Sequence, residues 1–157
     1  MIVETDMAYA AGLMDGEGSI CIRRHIYKTS GHNIPSFTVY VEIRMTNWEA
    51  VDFICNKFGG HLTEKGRTNK GKVIYDWKIY SKKAISFLEM ISPYLKCKHR
   101  QAMIAKDFQK LPFATKHNRD EVTKKRDTMR NLISILNQTS HSIVMGGCDD
   151  SRTSICQ

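Results

Sequence analysis

The sequence predicts an α+β domain, an antiparallel sheet with helices packed on one face, and three observations carry that prediction. A strand–strand–helix order occurs twice in succession between Ser19 and Ile91. One segment, Phe37 to Met45, alternates strictly, with Val39, Val41, Ile43 and Met45 on one side and Thr38, Tyr40, Glu42 and Arg44 on the other. The intervening helical segments repeat apolar residues at helical spacing, as in Val51, Ile54, Cys55 and Phe58.

Each element has its own local signal. The first helix is predicted over Asp6 to Met14, with Thr5 or Asp6 as N-cap, and Gly16 and Gly18 are expected to break it. Ser19 to Lys28 reads as a strand in which Ile20 and Ile22 alternate with Cys21, Arg23 and His25. Thr29 to Asn33 is rich in turn residues and leads into the strand from Phe37. Thr46-Asn47-Trp48-Glu49 has the form of a capping box for the second helix, which Gly59-Gly60 stops. A hairpin follows over His61 to Arg67 and Val73 to Tyr80. Ser81 is placed to cap a helix reaching about Ile91, closed by Pro93. A further helix is predicted over His99 to Leu111, with Ile104, Phe108 and Leu111 on its apolar side.

Pro112 ends the compact part, so residues 1–112 form the expected core domain. Residues 113–138 are expected to be a helical C-terminal extension, with Met129, Leu132, Ile133 and Leu136 as its apolar stripe; residues 139–157 lack periodicity and are expected to be disordered. No run of about 18 apolar residues exists to span a membrane. Met1 to Asp6 carries two acids and no base, unlike a secretory or mitochondrial leader, and the expected location is intracellular. The five cysteines follow no metal-binding spacing and are expected to be reduced thiols.

Charge narrows the partner. The chain has 24 Lys and Arg against 16 Asp and Glu, a net charge of +8 that favours a polyanion. Through Pro112 the balance is 17 against 11, and Lys65 to Lys72 holds Lys65, Arg67, Lys70 and Lys72 with no acid. Strand positions pointing away from the core carry Arg23, His25, Arg44, Lys65 and Lys78, with Glu42 and Asp76 among them. A solvated sheet face explains such a pattern less well than a ligand-binding one.

The segment Ala10-Ala11-Gly12-Leu13-Met14-Asp15-Gly16-Glu17-Gly18 places two acids two residues apart, between glycines, where a small-residue helix gives way to a strand. Read from the residues alone, Asp15 bonds local backbone as the helix ends, and Glu17 projects beyond it. Carboxylates suit hard divalent ions. These nine residues resemble the signature of the LAGLIDADG homing endonucleases, with identity or a conservative change at seven positions. The order of elements over residues 1–112 is similar to that family's αββαββα core. Pro93-Tyr94-Leu95-Lys96-Cys97-Lys98 resembles a second family segment, in which the second lysine is the active-site one. The departures are Ala10 for the first Leu and Glu17 for the second Asp, and both keep the chemistry.

The resemblance implies a metal-dependent DNA endonuclease that makes double-strand breaks with short 3′ overhangs at a long pseudo-palindromic target, as in intron or intein homing. Its sheets straddle the duplex as a DNA-binding saddle. Glu17 with the Gly16 carbonyl is implied to hold Mg²⁺, with Mn²⁺ substituting and Ca²⁺ binding without cleavage. Lys98 is implied to stabilise charge at the phosphate and Asn47 to order water, which makes Glu17, Lys98 and Asn47 the expected catalytic set. One motif copy implies a homodimer through Ala8, Ala11, Gly12 and Asp15, and two-fold symmetry favours a near-palindromic site. The expected double-stranded DNA contacts are Cys21, Arg23, His25, Thr38, Tyr40, Arg44, Thr63, Lys65, Arg67, Lys70, Lys72, Asp76 and Lys78. Arg23, Arg44 and Lys65 suit guanine, Asp76 suits cytosine, and Lys70 and Lys72 suit phosphates. Two rival readings are an intron RNA-binding maturase or cleavage-inactive regulator on the same fold, and a basic domain docking to an acidic protein.

Overall fold

A computed structural model describes residues 1–29, 32–115 and 117–142. Helix α1 (Glu4–Glu17) leads into β1 (Gly18–Thr29) and β2 (His32–Met45), followed by α2 (Trp48–Phe58), β3 (His61–Arg67), β4 (Val73–Tyr80) and α3 (Ser81–Ile91). A 3₁₀ turn over Ser92–Tyr94 precedes α4 (His99–Lys110) and α5 (Arg119–Ser142). The strands form one antiparallel sheet in the order β1-β2-β4-β3. The predicted α+β order, strand–strand–helix twice, is the observed one.

The alternation in β2 sets the two faces of the sheet. Ile20, Ile22, Val39, Val41, Ile43, Trp77 and Ile79 point inward and are buried. They pack against Ala10, Ala11 and Met14 of α1, Val51 and Ile54 of α2, Phe87, Leu88 and Ile91 of α3, and Ala102, Ala105 and Phe108 of α4. Trp77 lies fully buried, with its ring edge-to-face on Phe87, which in turn meets Phe58 in the same way. Its Nε1–H donates to the Gly59 carbonyl at 2.6 Å, so the one polar atom of this indole is satisfied. That carbonyl is available because Gly59 leaves the helix at φ 73° and Gly60 continues at φ 102°. A Cβ on Gly60 would lie 2.6 Å from Trp77 Nε1 and 2.7 Å from the Lys78 carbonyl, so the pair of glycines is a packing requirement as well as a helix stop.

Several predicted boundaries shift. The second helix takes Asn47 rather than Thr46 as its N-cap, through a 2.8 Å bond from Ala50 N–H to Asn47 Oδ1. Ser81 is the first residue of α3, at φ 53°, with Tyr80 in the capping position. Strand β2 begins at His32, although Pro35 and Asn33 suggest a loop. Only Tyr40 to Met45 has a partner on the β4 side, so the earlier half pairs with β1 alone. A proline without an N–H is tolerated where no second partner needs one.

Helix α5 lies along β1, an edge strand. Asn137 Nδ2 donates to the Ile20 carbonyl at 3.0 Å, Arg24 meets Asp127 at 3.6 Å, and Ile133 is buried in the main core. Covering an edge in this way removes a row of open backbone groups. Val122, Met129 and Ile133 make the inward stripe, whereas Leu132, expected in it, is 46% exposed. The helix runs to Ser142, so residues 139–142, expected in the disordered tail, are helical, and residues 143–157 lie outside the described residues.

Candidate active site and nucleic-acid interface

The site begins at the junction of α1 and β1. The helix does not stop at Met14: Gly16 stays helical, Glu17 is the last helical residue, and Gly18 caps the end with its N–H on the Met14 carbonyl. A Cβ on Gly18 would lie 2.7 Å from Met14 Cα, closer than real Cβ atoms come. Glycine here lets the chain pass from helix to strand with no linker. Glu17 is exposed in the last turn instead of projecting past it.

Asp15 behaves differently from expectation. It bonds no local backbone; its carboxylate accepts the Lys96 N–H at 2.7 Å and the Lys98 N–H at 2.9 Å. Lys98 Nζ returns to the Asp15 carbonyl at 2.6 Å. That carbonyl belongs to the last turn of α1, which has no basic residue of its own, so Lys98 places a cation at the negative end of the helix. The same bond holds Lys98 on the last turn of α1, and the two sequence-predicted residues, Glu17 and Lys98, line one cavity.

The cavity measures about 1070 Å³. Asp15, Gly16, Glu17 and Lys98 form one end, Cys21, Arg23, Tyr40 and Glu42 of the sheet its floor, and Arg130, Ser134, Asn137 and Gln138 of α5 a side wall. The α5 residues were missed by sequence reasoning, and only the docking of that helix on β1 reveals them. Asn47 is not in the wall. It lies at the same end of the sheet, beyond the Gly18–Ile43 pair, but its Oδ1 serves the α2 cap.

Glu17 with the helix-end carbonyls fits a hard divalent ion that keeps several waters. Glu42 lines the same cavity, but its carboxylate is held by Lys78 at 3.0 Å. Among the described residues no group of three His, Cys, Asp or Glu is placed to hold a metal.

The outward sheet face has a neutral centre and basic flanks. Lys78 meets Glu42 and Asp76, each at 3.0 Å, and Arg44 meets Asp76 at 3.5 Å and Glu42 at 3.8 Å. Burial lowers the Lys78 pKa, but the bonds to Glu42 and Asp76 outweigh it and hold the ammonium above its ordinary value. The Asp76 side chain is 0% exposed, which corrects its assignment to a cytosine: it faces outward by alternation but is sealed by its neighbours. Among the described residues its Oδ1 has no hydrogen-bond partner. Lys78 is 17% exposed and is not a free cation, whereas Arg44 is 51% exposed and keeps an open side. Thr63 Oγ1 donates to the Asp76 carbonyl.

Toward β1, Arg23 stacks on the Tyr40 ring at 5.0 Å, and Cys21 meets Ser19 Oγ at 3.3 Å. Burial, then the bond to Cys21, pushes the Tyr40 hydroxyl pKa up to about 12. Arg23 and His25 are exposed and Thr38 is half-buried. On the other flank Lys65, Arg67, Lys70 and Lys72 are all exposed, with Lys65 in a bulge between Glu64 and Gly66. Arg67 bends back to the Gly71 carbonyl at 3.0 Å.

Of the expected dimer residues, Ala8 and Gly12 are exposed on α1, and a Cβ at Gly12 or Gly16 would meet nothing within 4 Å. Ala11 is fully buried in this chain's own core and cannot face a partner. Asp15 is committed to the Lys96–Lys98 loop.

The sequence matches no protein-family model and no curated protein. Solved structures do match. The homing endonuclease I-CvuI, in complex with the I-CreI target and Mg, superposes with a TM-score of 0.63 at 18% identity over 96% of this chain and 87% of that one. The archaeal intron-encoded homing endonuclease I-Vdi141I, complexed with DNA, gives 0.67 at 17% identity over 85% and 84%. The LAGLIDADG homing endonuclease I-GzeII, in complex with its DNA target, gives 0.58 at 19% identity, with 79% of this chain covering 43% of that one. The chain therefore has the fold of the LAGLIDADG homing endonucleases.

Proposed function

We propose that this chain is one half of a metal-dependent DNA endonuclease that cuts both strands of a near-palindromic duplex as a homodimer. The observation that carries the reading is the presence of exposed Glu17 and of Lys98, bonded to the end of α1, in one cavity floored by the outward sheet face. DNA complexes among the structural neighbours support the ligand class.

The surface of α1 supports assembly. Ala8 and Gly12 are exposed, and the open space at Gly12 would let a second α1 approach closely. The coverage values agree, because this chain fills most of I-CvuI but under half of I-GzeII, which has room for a second unit of this size. Crossing of two α1 helices brings two copies of Glu17 together at their C-terminal ends.

Glu17 and the Gly16 carbonyl would hold Mg²⁺, which when bound polarises the scissile phosphate and lowers the cost of forming hydroxide. Lys98 Nζ, directed by the Asp15 carbonyl, would balance charge that develops on the phosphate. Arg23, Arg44 and Lys65 present open donors to base edges, and Lys70 and Lys72 meet phosphates that set register. Asn47 keeps its Nδ2 for water, since only Oδ1 is engaged in the cap.

The test is Glu17→Gln, assayed for cleavage of a randomised duplex library with Mg²⁺ and for binding with Ca²⁺. Cleavage is expected to be abolished while specific binding persists. A Glu17→Gln protein that cuts at the parental rate refutes the proposal.

A further inference from the structure

We infer that Asp15 is a positioning residue for Lys98, an inference that rests on the nuclease reading above. Its carboxylate is aimed at the backbone of the loop that carries the lysine. Both oxygens are used there, one on the Lys96 N–H at 2.7 Å and the other on the Lys98 N–H at 2.9 Å. The lysine side chain then closes the loop by donating to the Asp15 carbonyl at 2.6 Å. Three bonds thus join residue 15 to residues 96–98 across more than eighty residues of sequence.

This arrangement fixes Lys98 twice. The carboxylate sets where its Cα sits, and the carbonyl sets where its ammonium points. Charge-assisted bonds of this length are short and strong. Lys98 is also the residue that caps α4, so the clamp ties the start of α4 to the end of α1. Glu17 is two residues from the clamp on the same final helical turn. Asp15 therefore sets the spacing between the acid and the lysine without touching the reacting atoms itself.

Asparagine at this position has the same shape but only one acceptor oxygen, and its amide would set a donor against the second N–H. A displacement of about 1 Å at a reacting group costs on the order of 100-fold in rate. Parent, Asp15→Asn, Lys98→Met and the double variant are compared on a duplex that the parent selects from a randomised library. Single-turnover cleavage is measured with saturating protein and Mg²⁺, and affinity with Ca²⁺. Asp15→Asn is expected to slow cleavage about 10- to 100-fold and leave affinity within about threefold. On the Lys98→Met background it is expected to add less than about twofold, because residues acting through one another are not additive.

Asp15→Asn cleaving at the parental rate overturns the inference, as does a full, additive loss on top of Lys98→Met. Amide hydrogen exchange on DNA-free protein reads the clamp directly. The Lys96 and Lys98 amides are expected to be protected in the parent and to exchange at least about tenfold faster in Asp15→Asn. Protected amides with an unchanged cleavage rate defeat this inference alone. A parent that cuts no duplex defeats the nuclease reading, and this inference with it.

Discussion

Replacing Lys70 and Lys72 with alanine should flatten the salt dependence of DNA binding, whereas replacing Lys78 with methionine should not. The contrast comes from partners rather than from charge, which is the same at all three positions. Lys70 and Lys72 are exposed beside the β3–β4 turn. Lys78 is 17% exposed and lies 3.0 Å from both Glu42 and Asp76. Each phosphate neutralised contributes about 0.9 to the slope of log affinity against log salt. Losing two such contacts per chain, hence four in a dimer, lowers the slope by about 3.6. Between about 50 and 200 mM salt the doubly substituted protein would then lose on the order of 100-fold less affinity than the parent. Lys78→Met should change the slope by less than about 1, since its charge already faces two carboxylates. Fluorescence anisotropy with Ca²⁺ and a Glu17→Gln background measures binding without cleavage. Equal slope changes from Lys78→Met and from the double substitution would refute the picture of a neutral centre between basic flanks, and an unaltered slope in the double substitution would remove the turn from the phosphate path.

Three further outcomes are expected. Gly12→Leu adds a side chain where this chain offers open space, so the single chain should gain about 0.5–1 kcal/mol from helix propensity while the dimer dissociates; sedimentation velocity that still shows a dimer would displace α1 from the interface. Gly60→Ala meets Trp77 and the Lys78 carbonyl at φ 102° and should cost about 3 kcal/mol, read as a fall in urea midpoint; an unchanged midpoint would contradict the packing described. The bond from Lys57 at 2.9 Å, then that from the Val3 N–H, holds the Asp6 carboxyl below its ordinary 3.8, so its stabilising effect is full above that value and disappears as pH falls through the lowered folded value. The stability gap between parent and Lys57→Met should therefore close in strong acid, and a gap independent of pH would show that the ion pair is not its source.

The strands were legible because alternation reports directly which side of a pleat each residue occupies. β1 and β2 follow their expected faces for that reason, whereas the bulge at Lys65 breaks the alternation of β3. Alternation does not report what a neighbouring side chain will cover, and Asp76 is outward yet sealed by Lys78 and Arg44. Small residues carry a similar ambiguity. Ala8 and Ala11 read alike in sequence, but three positions of helix turn one outward and the other into the chain's own core. Asp15 was assigned from its place in the motif, and nothing local encodes that its partners lie at Lys96 and Lys98. The α5 wall of the cavity was invisible for the same reason, since Asn137 meets Ile20 only through tertiary docking. Gly16 was read as a breaker, but the helix passes through it and only Gly18 ends it.

The direct passage from Glu17 to Gly18 has a consequence for how such a protein would be retargeted. With no slack between helix and strand, the acid and the outward side chains of β1, which read bases in the proposed nuclease, would behave as marks on one ruler, spaced by about 3.3 Å per residue. Ser19 and Cys21 stand within a few bonds of the acid, while Arg23 and His25 stand farther along the same rigid strand. Substitutions near the first pair would move cutting and recognition together, and those at the second pair would alter which base is favoured while leaving the cut where it was. Engineering of new targets is best begun at the far end of β1 and worked inward.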